Sequence, residues 1–217
     1  MTRLIAALDT TDVSLARRWA DAVAPSCGMI KLGLEFFLAN GPQGVREMSG
    51  RAIFLDLKLH DIPNTVAGAV RAVLPLAPRF LTLHAAGEAK MLAAAREAAE
   101  TAGDARPRLV AVTVLTSLQA EPQTVLQLAR MALAAGADGL VCSGHEIAML
   151  RDAFGKTPLL IVPGIRPAGA ATGDQARTVT PRAAAAAGAD WLVVGRPITE
   201  AENPAAAAAA IAAEIAG

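Results

Sequence analysis

Short runs of apolar residues recur along the chain at nearly even spacing: Leu4–Leu8, Met29–Leu32, Ile53–Leu57, Phe80–Leu83, Leu109–Leu115, Gly139–Cys142, Leu159–Val162 and Trp191–Val194. Most are continuous rather than alternating, as in strands covered by helices on one face and by a core on the other. Between them lie amphipathic or alanine-rich stretches long enough for helices, among them Ser14–Val23, Gly41–Met48, Thr65–Leu74, Lys90–Thr101 and Pro122–Ala135. Eight strand patterns alternating with helices over about 200 residues predict an α/β fold, a single-domain (β/α)8 TIM barrel. An open doubly wound sheet is the competing architecture, but no Gly-x-Gly-x-x-Gly follows the first strand to support it.

An internal repeat favours the barrel. Ala135-Gly-Ala-Asp-Gly-Leu-Val141 resembles Ala187-Gly-Ala-Asp-Trp-Leu-Val193, each reading as a helix stopped at glycine before a tight turn into a strand. Asn203 and Pro204 suit the N-cap and first turn of a helix, so the alanine-rich end is expected to close the barrel. No linker or second domain is evident in the pattern.

Composition narrows the function. The chain has 217 residues, 53% of them hydrophobic, few aromatics and no tyrosine. Its formal net charge is zero, which removes any global attraction to nucleic acid or to an acidic membrane. No apolar run approaches the eighteen or so residues of a membrane span, and the first residues enter a strand pattern rather than a secretion signal. A cytoplasmic location is expected. Cys27 and Cys142, far apart and without Cys-x-x-Cys spacing, are expected to be ordinary buried thiols.

The chemistry collects at one end of the strands. Asp9 follows the first strand, Lys31 lies in the second, Asp56 and Lys58 end the third and His84 the fourth. Thr116 and Ser117 follow the fifth, Gly164 and Arg166 the seventh, and Gly195 and Arg196 the eighth. The strand starts read as almost purely apolar. Barrel enzymes place their reacting groups at the C-terminal ends of strands. Two-residue spacing sends Asp56 and Lys58 to the same face, and Asp61 follows where the chain turns toward a helix. Packing alone offers no reason to aim acid, base and acid at the end of a buried strand. His60 and His84 read as structural, and His145 as part of a surface turn. Pro163-Gly-Ile-Arg166 and Gly195-Arg-Pro197 each pair glycine with arginine, a composition suited to phosphate. The small-residue stretch Arg166–Arg177 between them reads as a lid carrying Gln175.

The segment Asp56-Leu-Lys-Leu-His-Asp61-Ile-Pro-Asn-Thr65 resembles the signature of the orotidine 5′-phosphate decarboxylase family. Val112–Ser117, Val162–Pro167, Gly173–Gln175 and Val194–Pro197 match further segments of that family in order, so the similarity runs from about Leu4 to Thr199. The resemblance implies decarboxylation of orotidine 5′-phosphate to uridine 5′-phosphate, the last step of de novo UMP synthesis, without a cofactor. It implies that Asp56, Lys58 and Asp61, completed by Lys31, surround the scissile carboxylate, with Lys58 as proton donor. It further implies Asp9 and Lys31 at the ribose, Thr116 and Ser117 at the pyrimidine, and Arg166, Gln175, Gly195 and Arg196 at the phosphate. Ile62 and Pro163 would line the substrate site beside them. It implies a homodimer in which Asp61 and Thr65 reach the neighbouring subunit's site. Two alternatives stay open: a metal-dependent sugar-phosphate decarboxylase or aldolase on the same barrel, and a non-catalytic nucleotide-binding barrel.

Overall fold

A computed structural model describes residues 2–115, 118, 120–167 and 178–217. Its strands are β1 (Arg3–Ala7), β2 (Met29–Gly33), β3 (Ile53–Leu59), β4 (Phe80–His84), β5 (Arg108–Val112), β6 (Gly139–Val141), β7 (Leu159–Val162) and β8 (Trp191–Val194). All neighbours run parallel, and β1 pairs with β8 through Arg3–Trp191 to Ala6–Val194, closing the barrel. The helices are α1 (Val13–Val23), α2 (Leu34–Glu47), α3 (Pro63–Val73), α4 (Glu88–Glu100), α5 (Pro122–Ala134), α6 (Ile147–Phe154), α7 (Pro181–Ala186), α8 (Arg196–Thr199) and α9 (Pro204–Ala216). Among the described residues no helix is long and apolar enough to cross a membrane.

The continuous apolar strands divide by parity. On β3, Ile53, Leu55 and Leu57 face the helix layer, whereas Phe54 joins the barrel interior. That interior is built from Ile5, Met29, Phe54, Phe80, Val110, Ile161, Trp191 and Val193. Phe80 meets Phe54 and Trp191 edge-on, with ring centroids 5.7 and 5.6 Å apart. A chain poor in aromatics thus spends three of them on a floor beneath the C-terminal mouth.

Two predicted elements differ from the observed ones. The helix expected at Gly41–Met48 begins earlier, at Leu34, and breaks at Gly41, whose φ of 58° lies in the left-handed region. Pro42 then starts the second half, where its missing N–H does no harm. The first half, Leu-Glu-Phe-Phe-Leu, is apolar on too many sides to read as amphipathic, since Leu38 is exposed while Phe36 is buried. The fifth strand was expected to run to Leu115 but ends at Val112, where its pairing with β6 stops at Val141, Thr113 making the last bond to the Val141 carbonyl.

The strand starts are more polar than expected. Asp138 and Asp190, the acids of the repeat, precede β6 and β8 and clasp the neighbouring strands. Asp138 accepts from the Leu109 N–H and from both terminal nitrogens of Arg106, each at 2.8 Å. Asp190 accepts from the Leu160 N–H at 2.8 Å and from Arg151 at 2.6 Å. Gly136 and Gly188 provide the preceding turns with φ near 100°. The repeat is therefore a stability device at the N-terminal mouth of the barrel. Of the two thiols only Cys142 is fully buried; Cys27 is half-buried in the turn after α1, and burial pushes it up to about 12.

Candidate active site

The parity that fills the floor also builds the site. One step above Ile5, Met29, Phe54, Ile161 and Trp191 come Ala7, Lys31, Asp56, Pro163 and Val193. One further step brings Asp9, Lys58 and Gly195. All of these except the floor positions of β1, β2 and β8 line a cavity of about 500 Å³. A row of alternating charge crosses it. Lys31 Nζ lies 2.9 Å from Asp9 and 3.6 Å from Asp56, and Lys58 Nζ lies 2.8 Å from Asp56. Lys31 and Asp56 are each 9% exposed. Burial alone would raise the Asp56 carboxyl, yet Lys31 and Lys58 outweigh it and hold it below the usual carboxylate range. Burial likewise opposes charge on Lys31, and Asp56 and Asp9 reverse that, holding the ammonium above its ordinary value.

Thr82 on β4 is a site residue that the sequence reading missed. Its hydroxyl donates to Asp56 at 2.9 Å and accepts the Lys58 N–H at 2.8 Å. Lys58 needs that partner, because its φ is 47° and the β3–β4 register shifts between Leu55 and Leu59. A left-handed conformation at a non-glycine residue costs about 1–3 kcal/mol. The bend directs the Lys58 side chain back over Asp56 instead of onward along the strand. The signal was present as a lone hydroxyl at inward parity within Phe80-Leu-Thr-Leu-His84.

Asp61 does not join this row. β3 ends at Leu59, and Asp61 lies exposed in the turn into α3, where it accepts the Ile62 N–H at 2.6 Å. Within one chain Lys58 is held by Asp56, whereas the lysine held between two aspartates is Lys31. The expected acid–base–acid grouping is therefore not assembled within one chain, because the turn between β3 and α3 carries Asp61 outward. It borders a second, open cavity with His60, Ile62, Pro63 and Glu88. Thr65 is exposed on the first turn of α3, and Ile62 is 65% exposed. His60 and His84 pack ring against ring at 5.5 Å, and burial, aided by His60 and Lys58, lowers His84.

At the far wall stand Pro163, Gly164, Arg166, Gly195 and Arg196. Gly164 has φ 74°, a turn that suits glycine, and Arg166 is buried with its guanidinium donating to the Ile165 carbonyl at 2.9 Å. Burial and the like charge of Arg196 lower Arg166 from its usual range. Glu200, at the end of α8, lines the same wall and was not singled out in the sequence. Thr116, Ser117 and Gln175, with most of the expected lid, lie outside the described residues.

Gly33 contributes by what it lacks. A Cβ there would stand 3.0 Å from Lys31 Nζ and 3.2 Å from Asp9, while its φ of −91° suits any residue. Gly33→Ala should therefore fold normally but push the ammonium aside. Turnover is expected to fall about tenfold or more, since small misplacements are costly in a preorganised site. Melting temperature and rate measured on the same preparation check this; a variant with normal turnover removes the steric argument.

Comparison with known proteins agrees with this geometry. A model of the Orotidine 5′-phosphate decarboxylase / HUMPS family matches residues 2–211. Curated orotidine 5′-phosphate decarboxylases from Gluconobacter oxydans and Thermobifida fusca are 56% and 55% identical, aligned over 99% and 96% of this chain and 98% and 94% of theirs. The crystal structure of orotidine 5′-phosphate decarboxylase from Lactobacillus acidophilus superposes with a TM-score of 0.87 at 35% identity, covering all of both chains. With a charged row over an aromatic floor, an arginine pair opposite and relatives matched end to end, the chain belongs to the orotidine 5′-phosphate decarboxylase family.

Proposed function

We propose that this chain is a carbon–carbon lyase that converts orotidine 5′-phosphate to uridine 5′-phosphate and carbon dioxide. The observation that carries the reading is the unbroken row Asp9–Lys31–Asp56–Lys58 facing an arginine pair across one cavity. Loss of carbon dioxide breaks a carbon–carbon bond and leaves its electron pair on a ring carbon with little delocalisation. Catalysis of such a step requires roughly 20 kcal/mol of stabilisation. Fixed charge supplies it: the Lys58 ammonium faces the developing carbanion, costs no reorganisation there, and passes its proton to the carbon. Solvent then restores the proton to Lys58. Asp56 lies close to where the substrate carboxylate sits and disfavours the bound ground state.

Asp9 and Lys31 hold the ribose, Thr116 and Ser117 the pyrimidine, and Arg166, Gln175, Gly195 and Arg196 the phosphate, with Ile62 and Pro163 at the edges. Contacts to phosphate act far from the reacting carbon, yet their energy aligns the ring and closes the lid. Arg196→Ala should weaken uridine 5′-phosphate binding about tenfold to a hundredfold, as expected for a charge-assisted contact, and lower turnover with it. An effect confined to heat stability would make Arg196 structural.

The active form is a homodimer in the cytoplasm, in which Asp61 and Thr65 complete the neighbouring site. The exposed Ile62 beside them, and the distance of Asp61 from its own chain's row, support that arrangement. A metal-dependent barrel enzyme is disfavoured because Lys31 already places a cation between Asp9 and Asp56. A mere nucleotide sensor has no use for a strained lysine aimed over a buried acid.

The direct test mixes the protein with orotidine 5′-phosphate in excess chelator and follows ultraviolet absorbance. A steady fall at the same rate with and without chelator is expected. No fall at all, or a fall that the chelator stops, overturns the proposal.

A further inference from the structure

Three carboxylates line the main cavity: Asp9, Asp56 and Glu200. The first two each engage a lysine. Glu200 stands instead at the anion end, on the wall formed by Gly164, Arg166, Gly195 and Arg196. Its N–H closes α8 onto the Arg196 carbonyl at 3.0 Å, so the two side chains are one helical turn apart and share a face. An acid is the wrong sign for a surface that must hold a phosphate dianion.

We propose that Glu200 sets the strength of the phosphate site, tempering the arginine pair so that a nucleoside monophosphate is held less tightly and leaves more readily. This rests on the decarboxylase reading above and adds a specificity-determining residue to it. The carboxylate acts differently on the empty and the filled site. In the empty site two guanidinium groups repel one another, and a nearby carboxylate relieves that repulsion. Once a dianion arrives it takes over the task, and the same carboxylate then opposes it. Glu200 therefore stabilises the empty site more than the filled one. The alternative, that Glu200 orients Arg166, is less well supported, because the Ile165 carbonyl already fixes that guanidinium. Among the influences on Arg166, Glu200 ranks below burial and Arg196.

Glu200→Gln keeps the shape of an exposed side chain and removes only its charge. Titration calorimetry with uridine 5′-monophosphate and with uridine, which lacks the phosphate, separates the possibilities. The variant should bind the monophosphate about two- to fivefold more tightly, the range for a screened charge pair, with uridine affinity unmoved. The difference between variant and wild type should shrink as sodium chloride rises. Weaker or unchanged monophosphate binding in the variant, or a parallel change for uridine, overturns the role of Glu200 while leaving the decarboxylase intact. A wild-type protein that ignores uridine 5′-monophosphate overturns both.

Discussion

Lys58→Ala is expected to lower turnover of orotidine 5′-phosphate by a factor on the order of 10⁵ while leaving product binding nearly intact. Two losses combine. Removal of a general acid costs about 10²–10⁴ in rate, and removal of one preorganised charge from a developing anion costs about 10²–10³. Neither depends on the phosphate end, which lies across the cavity and keeps Arg166 and Arg196. Folding should gain nothing, because alanine keeps the Cβ that makes φ of 47° costly and buried Asp56 loses one of its two cationic neighbours, Lys31 remaining. Single-turnover decarboxylation and calorimetric binding of uridine 5′-phosphate, measured side by side, decide the matter. Rapid residual turnover would remove Lys58 from the chemistry.

Asp56→Ala should damage both stability and rate. Asp56 accepts from Lys58 and Thr82 and lies 3.6 Å from Lys31, so its removal strands a buried ammonium with Asp9 alone. Breaking a buried ion pair from one side costs about 3–5 kcal/mol, and turnover should fall about 10³-fold as Lys58 loses its anchor. The pH dependence of stability carries a sharper signature. Asp56 has a folded pKa below its unfolded value, so its contribution is complete above about pH 4 and is lost as pH falls through the lower folded value. Lys31 has a folded pKa above its unfolded value, so its contribution is complete below about pH 10 and is lost only as pH rises through the higher one. The wild-type protein should thus show a broad plateau between these limits. In the variant the alkaline edge should retreat to lower pH. Denaturant unfolding across the pH range measures this, and an unchanged alkaline edge would separate Lys31 from Asp56.

Much of this was legible in the chain because β-strand parity is simple. Phe54, Asp56 and Lys58 follow one another at intervals of two, so floor, wall and rim can be read directly from the letters. The eight apolar runs predicted the barrel for the same reason. What escaped depends on contacts between segments distant in sequence. Thr82 acquires its task only when β4 lies beside a bulged β3, and no local pattern announces a left-handed lysine. Asp138 and Asp190 looked like turn residues until Arg106 and Arg151 folded across to meet them. Asp61 is three positions from Lys58 along the chain, yet within one chain it stands apart from the charged row. Three residues of turn suffice to put it on another surface.

The clasps made by Asp138 and Asp190 sit at one mouth of the barrel, and the charged row and the arginine pair sit at the other. Substitutions that toughen the protein against heat can accumulate around the arginine clasps without touching ligand selectivity. Redesign for new nucleotides can proceed at the opposite rim without loosening the scaffold. A lineage moving between hot and cool habitats would thus be able to tune endurance and recognition as separate traits.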